Sequence, residues 1–134
     1  MKFNPYIFFG GACEEALDFY RRAVGAEVTS LMRFKEAPDP SMVAPGNADK
    51  IMHGSVRVGG HELFVSDGRC EGTGHFEGFA LSLMAESVDE AERLFGALAD
   101  GGKVQMPLAK TFFSPKFGMV ADKFGVGWMV LVAN

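Results

Sequence analysis

The chain has 134 residues, 48% apolar and 22% charged, with a net charge of −4, enough for one domain that buries most of its apolar surface. No Lys/Arg stripe forms, which speaks against nucleic acid as a partner, and the acidic balance speaks against anionic membranes. The longest apolar run is too short to cross a bilayer, and the N-terminal MKFNPYIFFGG lacks the length and cleavage pattern of a signal peptide, so the cytoplasm is the expected compartment.

NPYIFF (4–9) reads as a short buried strand that Gly10 and Gly11 end. In ACEEALDFYRRAV (12–24), apolar residues at 13, 16, 17, 20 and 24 trace one face of a helix. Glu14 and Glu15 in its first turn and Arg21 and Arg22 near its last complement the helix dipole, and Gly25 suits the residue after it. AEVTSLMRF (26–34) reads as a strand. KEAPDPSMVAPGNAD (35–49), with three prolines, reads as a long loop of the kind that often covers a site. KIMHGSVRV (50–58) alternates. Met52, Gly54, Val56 and Val58 share one face; Ile51, His53, Ser55 and Arg57 share the other. Gly59-Gly60 signals a hairpin into the strand HELFVSD (61–67). The Gly-rich stretch 69–76 reads as a linker.

The pattern then restarts. FALSLMA (79–85) reads as a strand. Ser87 and Glu90 form a capping box ahead of a helix with Val88, Ala91, Leu94, Phe95 and Leu98 on its apolar face, stopped by Gly101-Gly102. KVQMPLA, FFSPKFGMVA and GWMVLVAN read as three more strands. EALDFYRRAVGAEV (15–28) aligns with EAERLFGALADGGKV (90–104) at an offset of about 75 residues, so strand–helix–three strands occurs twice. The expected fold is α+β, a single domain over 1–134. Two βαβββ modules, about 1–68 and 77–134, pair into a curved, largely antiparallel, mixed eight-stranded sheet with the helices outside.

Cys13 falls on the apolar helix face and Cys70 in a polar loop. Two distant cysteines without an export signal read as free thiols. Arg69 could lower the Cys70 pKa, but one neighbouring charge makes a thin case for reactivity.

A βαβββ module used twice, carrying FFGGACEEALDFYRRAVGAEV, HGSVRVGGHELFVSD and KTFFSPKFGMVADKFGVGWMV in that order, resembles the vicinal oxygen chelate superfamily. That group includes glyoxalase I, the bleomycin-resistance proteins and extradiol dioxygenases, and the closer match is its PhnB-like branch. The resemblance covers nearly the whole chain. It implies a homodimer in which a cup holds a small organic molecule. Labels of relatives for ubiquinone methylation carry little weight, since a methyltransferase needs a larger parallel sheet with a Gly-rich strand–turn–helix.

The superfamily's chemistry usually runs through one divalent metal held by four side chains, one from the first and one from the last strand of each module. Those positions fall at Pro5, Leu63 or Phe64, Phe79 and Met129. None binds a hard or borderline divalent ion, and the Met thioether is a soft ligand suited to Cu(I). The expectation is no metal at the usual site and no cofactor. Chelation should then change neither stability nor ligand binding.

Other candidates remain. No HxH or HExxH spacing joins His53, His61 and His75, and a lone His is more often a surface or hydrogen-bonded residue than a ligand. The row His53, Ser55, Arg57 either lines a pocket or faces solvent; alternation predicts both equally well. Asp67 either caps the turn into Gly68 or partners His53. Phe112 and Phe113 in FFSPKF, with Trp128, either fill the core or line a pocket for a flat ligand, whose anionic group Lys110 or Lys116 would meet. The leading reading is a small-molecule binding protein. The alternative is a lyase, isomerase or dioxygenase-type enzyme using an unconventional metal site or His53/Asp67 acid–base chemistry.

Overall fold

The structure, a computed structural model, describes residues 1–39, 45–72 and 74–134. The chain divides into two compact units, Met1–Gly74 and His75–Asn134. In the first, β1 (Tyr6–Phe8) leads into α1 (Cys13–Val24), followed by β2 (Glu27–Arg33), β3 (Ile51–Val58) and β4 (His61–Ser66). The second repeats this with β5 (Leu81–Ala85), α2 (Val88–Ala99), β6 (Lys103–Ala109), β7 (Phe117–Ala121) and β8 (Gly127–Val132). The sheets share one topology, β1-β4-β3-β2 and β5-β8-β7-β6. The outer pairs β1–β4 and β5–β8 are parallel and the rest antiparallel. The fold is therefore α+β, the described residues forming two helices and eight strands in two four-stranded mixed sheets of matching order.

The helices form for the expected reasons. Gly25 takes the left-handed conformation (φ 68°) and its N–H donates to Tyr20 O, closing α1; glycine adopts this without a Cβ penalty. Burial adds Phe19 and Ala23 to the apolar face of α1 and leaves Val24 only half-buried. Ser87 Oγ accepts from Glu90 N at 3.1 Å. The Glu90 carboxylate accepts from Glu86 N, one residue before the partner an ideal capping box would use.

The hairpin glycines Gly59 and Gly60 have φ of 56° and 83°, as a type I′ turn requires. In the first sheet Ile7, Val56, Leu63 and Val65 are buried, each side chain of this size contributing about 1.5–3 kcal/mol on leaving water.

Two stretches differ from expectation. The loop 35–49 opens with a short 3-10 turn, Phe34–Glu36, and its residues 40–44 lie outside the described residues. FFSPKFGMVA is a strand only from Phe117. Before it, Thr111 N donates to Ser114 O at 2.9 Å, and Ser114 Oγ, buried, donates to Val132 O at 2.6 Å. Pro115 has no N–H for a ladder, so the segment folds as a turn held by Ser114.

Candidate functional site

The face of the first sheet opposite its buried side carries a cluster that the strand registers assemble. Tyr6 and Phe8, two apart on β1, project from one face, and their rings stack at 4.8 Å. Parallel pairing of β1 with β4 sets Tyr6 beside Phe64, and antiparallel pairing sets Phe64 beside Ser55. The His53 ring lies 5.6 Å from Tyr6 and 5.3 Å from Phe64. Tyr6 is 42% and Phe8 53% exposed, so this is an open aromatic surface.

Its polar groups are specific. Tyr6 Oη lies 2.8 Å from His53 Nδ1. Burial pushes the Tyr6 phenol above its ordinary pKa, with the Ser66 hydroxyl pulling the other way, so the phenol keeps its proton and can donate. An imidazole accepting at Nδ1 carries its hydrogen on Nε2. Ser55, buried, donates its hydroxyl to the Glu62 carboxylate. Of the row expected from alternation, His53 and Ser55 join this cluster, while Arg57 turns outward to pair with Glu27 at 3.3 Å.

Asp67 goes elsewhere. It is 1% exposed. Its Oδ1 accepts from the N–H groups of Gly11 and Cys13, and its Oδ2 from Ile51 N, each at 2.8 Å. The carboxylate thus caps the start of α1 and ties it to β3, so His53 has Tyr6 as its partner and not Asp67. The helix terminus, a natural place for a phosphate, is filled by a side chain of the protein itself. Among the described residues each sheet has one parallel strand pair, unlike the doubly wound parallel sheet whose Gly-rich turn cradles a dinucleotide.

Trp128 is also structural. It is 2% exposed and donates Nε1–H to Asp122 Oδ2 at 2.9 Å. Asp122 Oδ1 accepts from Phe124 N and Val126 N, fixing the turn before β8. Phe112 is 95% exposed and Phe113 45%. Phe113 meets Phe112 and Phe117 edge-on at 5.1 Å.

Cys13 and Cys70 are both free. Burial pushes both thiols up, with the Asp67 charge adding to it, so Arg69 does not activate Cys70. Cys70 holds a left-handed φ of 57° beside a hollow of about 430 Å³ over Gly10, Gly68 and Arg69.

The divalent metal that the fold suggests does not fit. Pro5 offers only a carbonyl, which already accepts from Phe64 N. Leu63 is buried in the core and the Phe64 ring packs on Tyr6 and His53. Phe79 has no ligand atom, and Met129 has only a thioether. Among the described residues, no three His, Cys, Asp or Glu side chains come together in a group able to hold a metal ion.

Sequence and structure comparisons agree with this architecture. Residues 1–131 match the 3-demethylubiquinone-9 3-methyltransferase family. The whole chain aligns at 36% identity with protein YjdN of Escherichia coli K12, covering 97% of it. The crystal structure of protein PA1353 from Pseudomonas aeruginosa is 40% identical over 99% of this chain and 98% of its own, with a TM-score of 0.88. The PhnB protein from Bacillus cereus is 30% identical over 99% and 100%, with a TM-score of 0.84. At much lower identity, 16% and 10%, the fold alone recurs in a glyoxylase/bleomycin resistance protein/dioxygenase domain from Frankia sp. and in the fosfomycin resistance protein FosX from Listeria monocytogenes.

Proposed function

The chain belongs to the 3-demethylubiquinone-9 3-methyltransferase family, the PhnB-like branch of the vicinal oxygen chelate fold, and from that premise we propose that it binds a small, flat organic molecule without the divalent metal usual in that superfamily. The observation that carries this reading is the open cluster of Tyr6, Phe8, His53 and Phe64 on one face of the first sheet. Aromatic rings give a planar ligand area to stack on, and a few polar groups fix its orientation. The His53 Nε2–H would donate to a ligand oxygen, and the Glu62 carboxylate would accept from a ligand hydroxyl. The reading includes a homodimer, a form that the fold family's cup-like sites favour. It also places the chain in the cytoplasm, a reducing compartment that suits two free thiols.

A second reading rests on the Tyr6–His53 hydrogen bond. An imidazole oriented by a phenol can move a proton, so the same face would support an isomerase or lyase reaction, with Tyr6 in the role that Asp67 does not take.

The binding reading is tested with 2-naphthol, a neutral planar probe with one hydroxyl. Titration calorimetry should give saturable binding to the native chain, and Phe64→Ala should weaken it several-fold while the protein stays folded. Equal affinity in the variant would contradict the assignment.

A further inference from the structure

The second sheet carries a set of side chains that this reading does not use. The register of β6, β7 and β8 pairs Met106 with Met119, and Met119 with Met129. Directly paired residues on neighbouring strands project from one face, with Cβ atoms about 4.5–5.5 Å apart. Three methionines therefore stand side by side across three adjacent strands. Their chain neighbours Val120, Trp128 and Val130 are buried on the opposite face, whereas Met106 is 46% exposed and Met119 and Met129 are partly exposed. Register shifts flank Met106, the irregularity that commonly re-aims a side chain at a sheet edge. Beyond Met129 the next partner is Ser82.

We propose that Met106, Met119 and Met129 form a binding site for a soft monovalent cation, Cu(I) being the biological candidate. Methionine is unbranched and has three rotatable bonds, so its sulfur can swing toward a neighbour's. With Met119 central in the register, side chains of this length from three adjacent strands can bring their sulfurs to one ion. Thioethers are soft donors that select Cu(I) over hard ions. The set is also neutral. The row holds no carboxylate, imidazole or thiolate, so a divalent ion finds no charge there to offset its lost hydration. A monovalent ion with weak hydration meets a smaller penalty. The site lies in the second unit and shares no residue with the aromatic cluster, so either assignment can fail without the other.

Silver(I), a redox-inert stand-in for Cu(I), is the probe. Thiols bind it, so the full chain is studied as Cys70→Ser; Cys13 is fully buried. Calorimetry should show one silver ion per chain, with no competition from Zn(II) and displacement by Cu(I) under anaerobic conditions. With methyl-labelled methionine, the ε-methyl signals of Met106, Met119 and Met129 should move and that of Met1 should not. Met119→Leu, close in shape and equally apolar, should keep the melting temperature and weaken silver binding by about tenfold or more. Absence of binding in Cys70→Ser, shifts confined to other methionines, or unchanged affinity in the leucine variant would each overturn the proposal. The last result would place silver elsewhere, Cys13 included.

Discussion

Asp67 and Asp122 are buried carboxylates whose oxygens are directed at N–H groups of their own chain. Charge-assisted bonds of this kind are about twice as strong as neutral ones. In Asp67→Asn the new NH2 group would confront backbone donors, leaving at least one buried N–H unsatisfied. The expected cost is about 2–4 kcal/mol in urea unfolding; a loss within error would show that Asp67 does not anchor α1. From sequence, Asp67 stood between a turn cap and a partner for His53. The structure gives its side chain neither role: the carboxylate accepts from the N–H groups of Gly11, Cys13 and Ile51, while Ser66 Oγ accepts from Gly68 N in the turn, and no local pattern announces partners so far from Asp67 in the chain. Alternation in β3 did put His53 and Ser55 on one face. NPYIFF read as a buried strand, yet in β1 only Ile7 is buried, and Tyr6 and Phe8 share the exposed face. Placing them beside Phe64 needed the parallel β1–β4 pairing, which no hairpin signals.

At the scale of elements, the hairpin between β7 and β8 adds a side-chain anchor to a glycine turn. Gly59-Gly60 joins β3 to β4, and Gly125, at φ 88°, lies in the turn from β7 to β8, which Asp122 and the indole of Trp128 also hold. Trp128→Phe keeps most of the apolar area and removes the donor to Asp122. It should cost about 1–3 kcal/mol by chemical denaturation, with little change in far-UV dichroism. The sequence left Trp128 open between core and pocket, because an aromatic on an alternating strand fits either.

An exposed network ties α1 to the end of β2. Arg33 bonds the Glu14 carboxylate and Asp49 O, and holds Glu14 below the usual carboxylate range. A depressed folded-state pKa gives stability that is present above the unfolded value and is lost as pH falls through the folded one. Urea midpoints followed from about pH 6 to pH 3 should therefore fall more for the native chain than for Glu14→Gln. The pair is largely solvent-exposed, so the difference should be small and shrink with salt. Parallel curves would remove the pair from the acid response.

At the scale of the whole molecule, the twofold use of one module was the most legible feature. Periodicity switched from strand to helix and back in the same order in each half, and the two sheets repeat one strand order. The site was less legible, since the family's four metal positions hold Pro5, Leu63 or Phe64, Phe79 and Met129 and so give no donor pattern to follow. The candidate face on the first sheet is a surface of rings, which composition registers only as many phenylalanines. As a homodimer, the chain should sediment at twice its monomer mass at micromolar concentration; a monomer at high micromolar concentration would contradict that part of the reading.

The central claim is that the Tyr6–Phe8–His53–Phe64 face receives a flat organic ligand, and the location of binding tests it most directly. Chemical-shift mapping of the isotope-labelled chain during titration with 2-naphthol reads this in one experiment. The account predicts saturable shifts of the Tyr6, Phe8 and Phe64 ring signals and of the His53 imidazole nitrogens, with Trp128 Nε1–H unmoved. Shifts clustered elsewhere, with His53 and Phe64 unchanged at saturation, would contradict it.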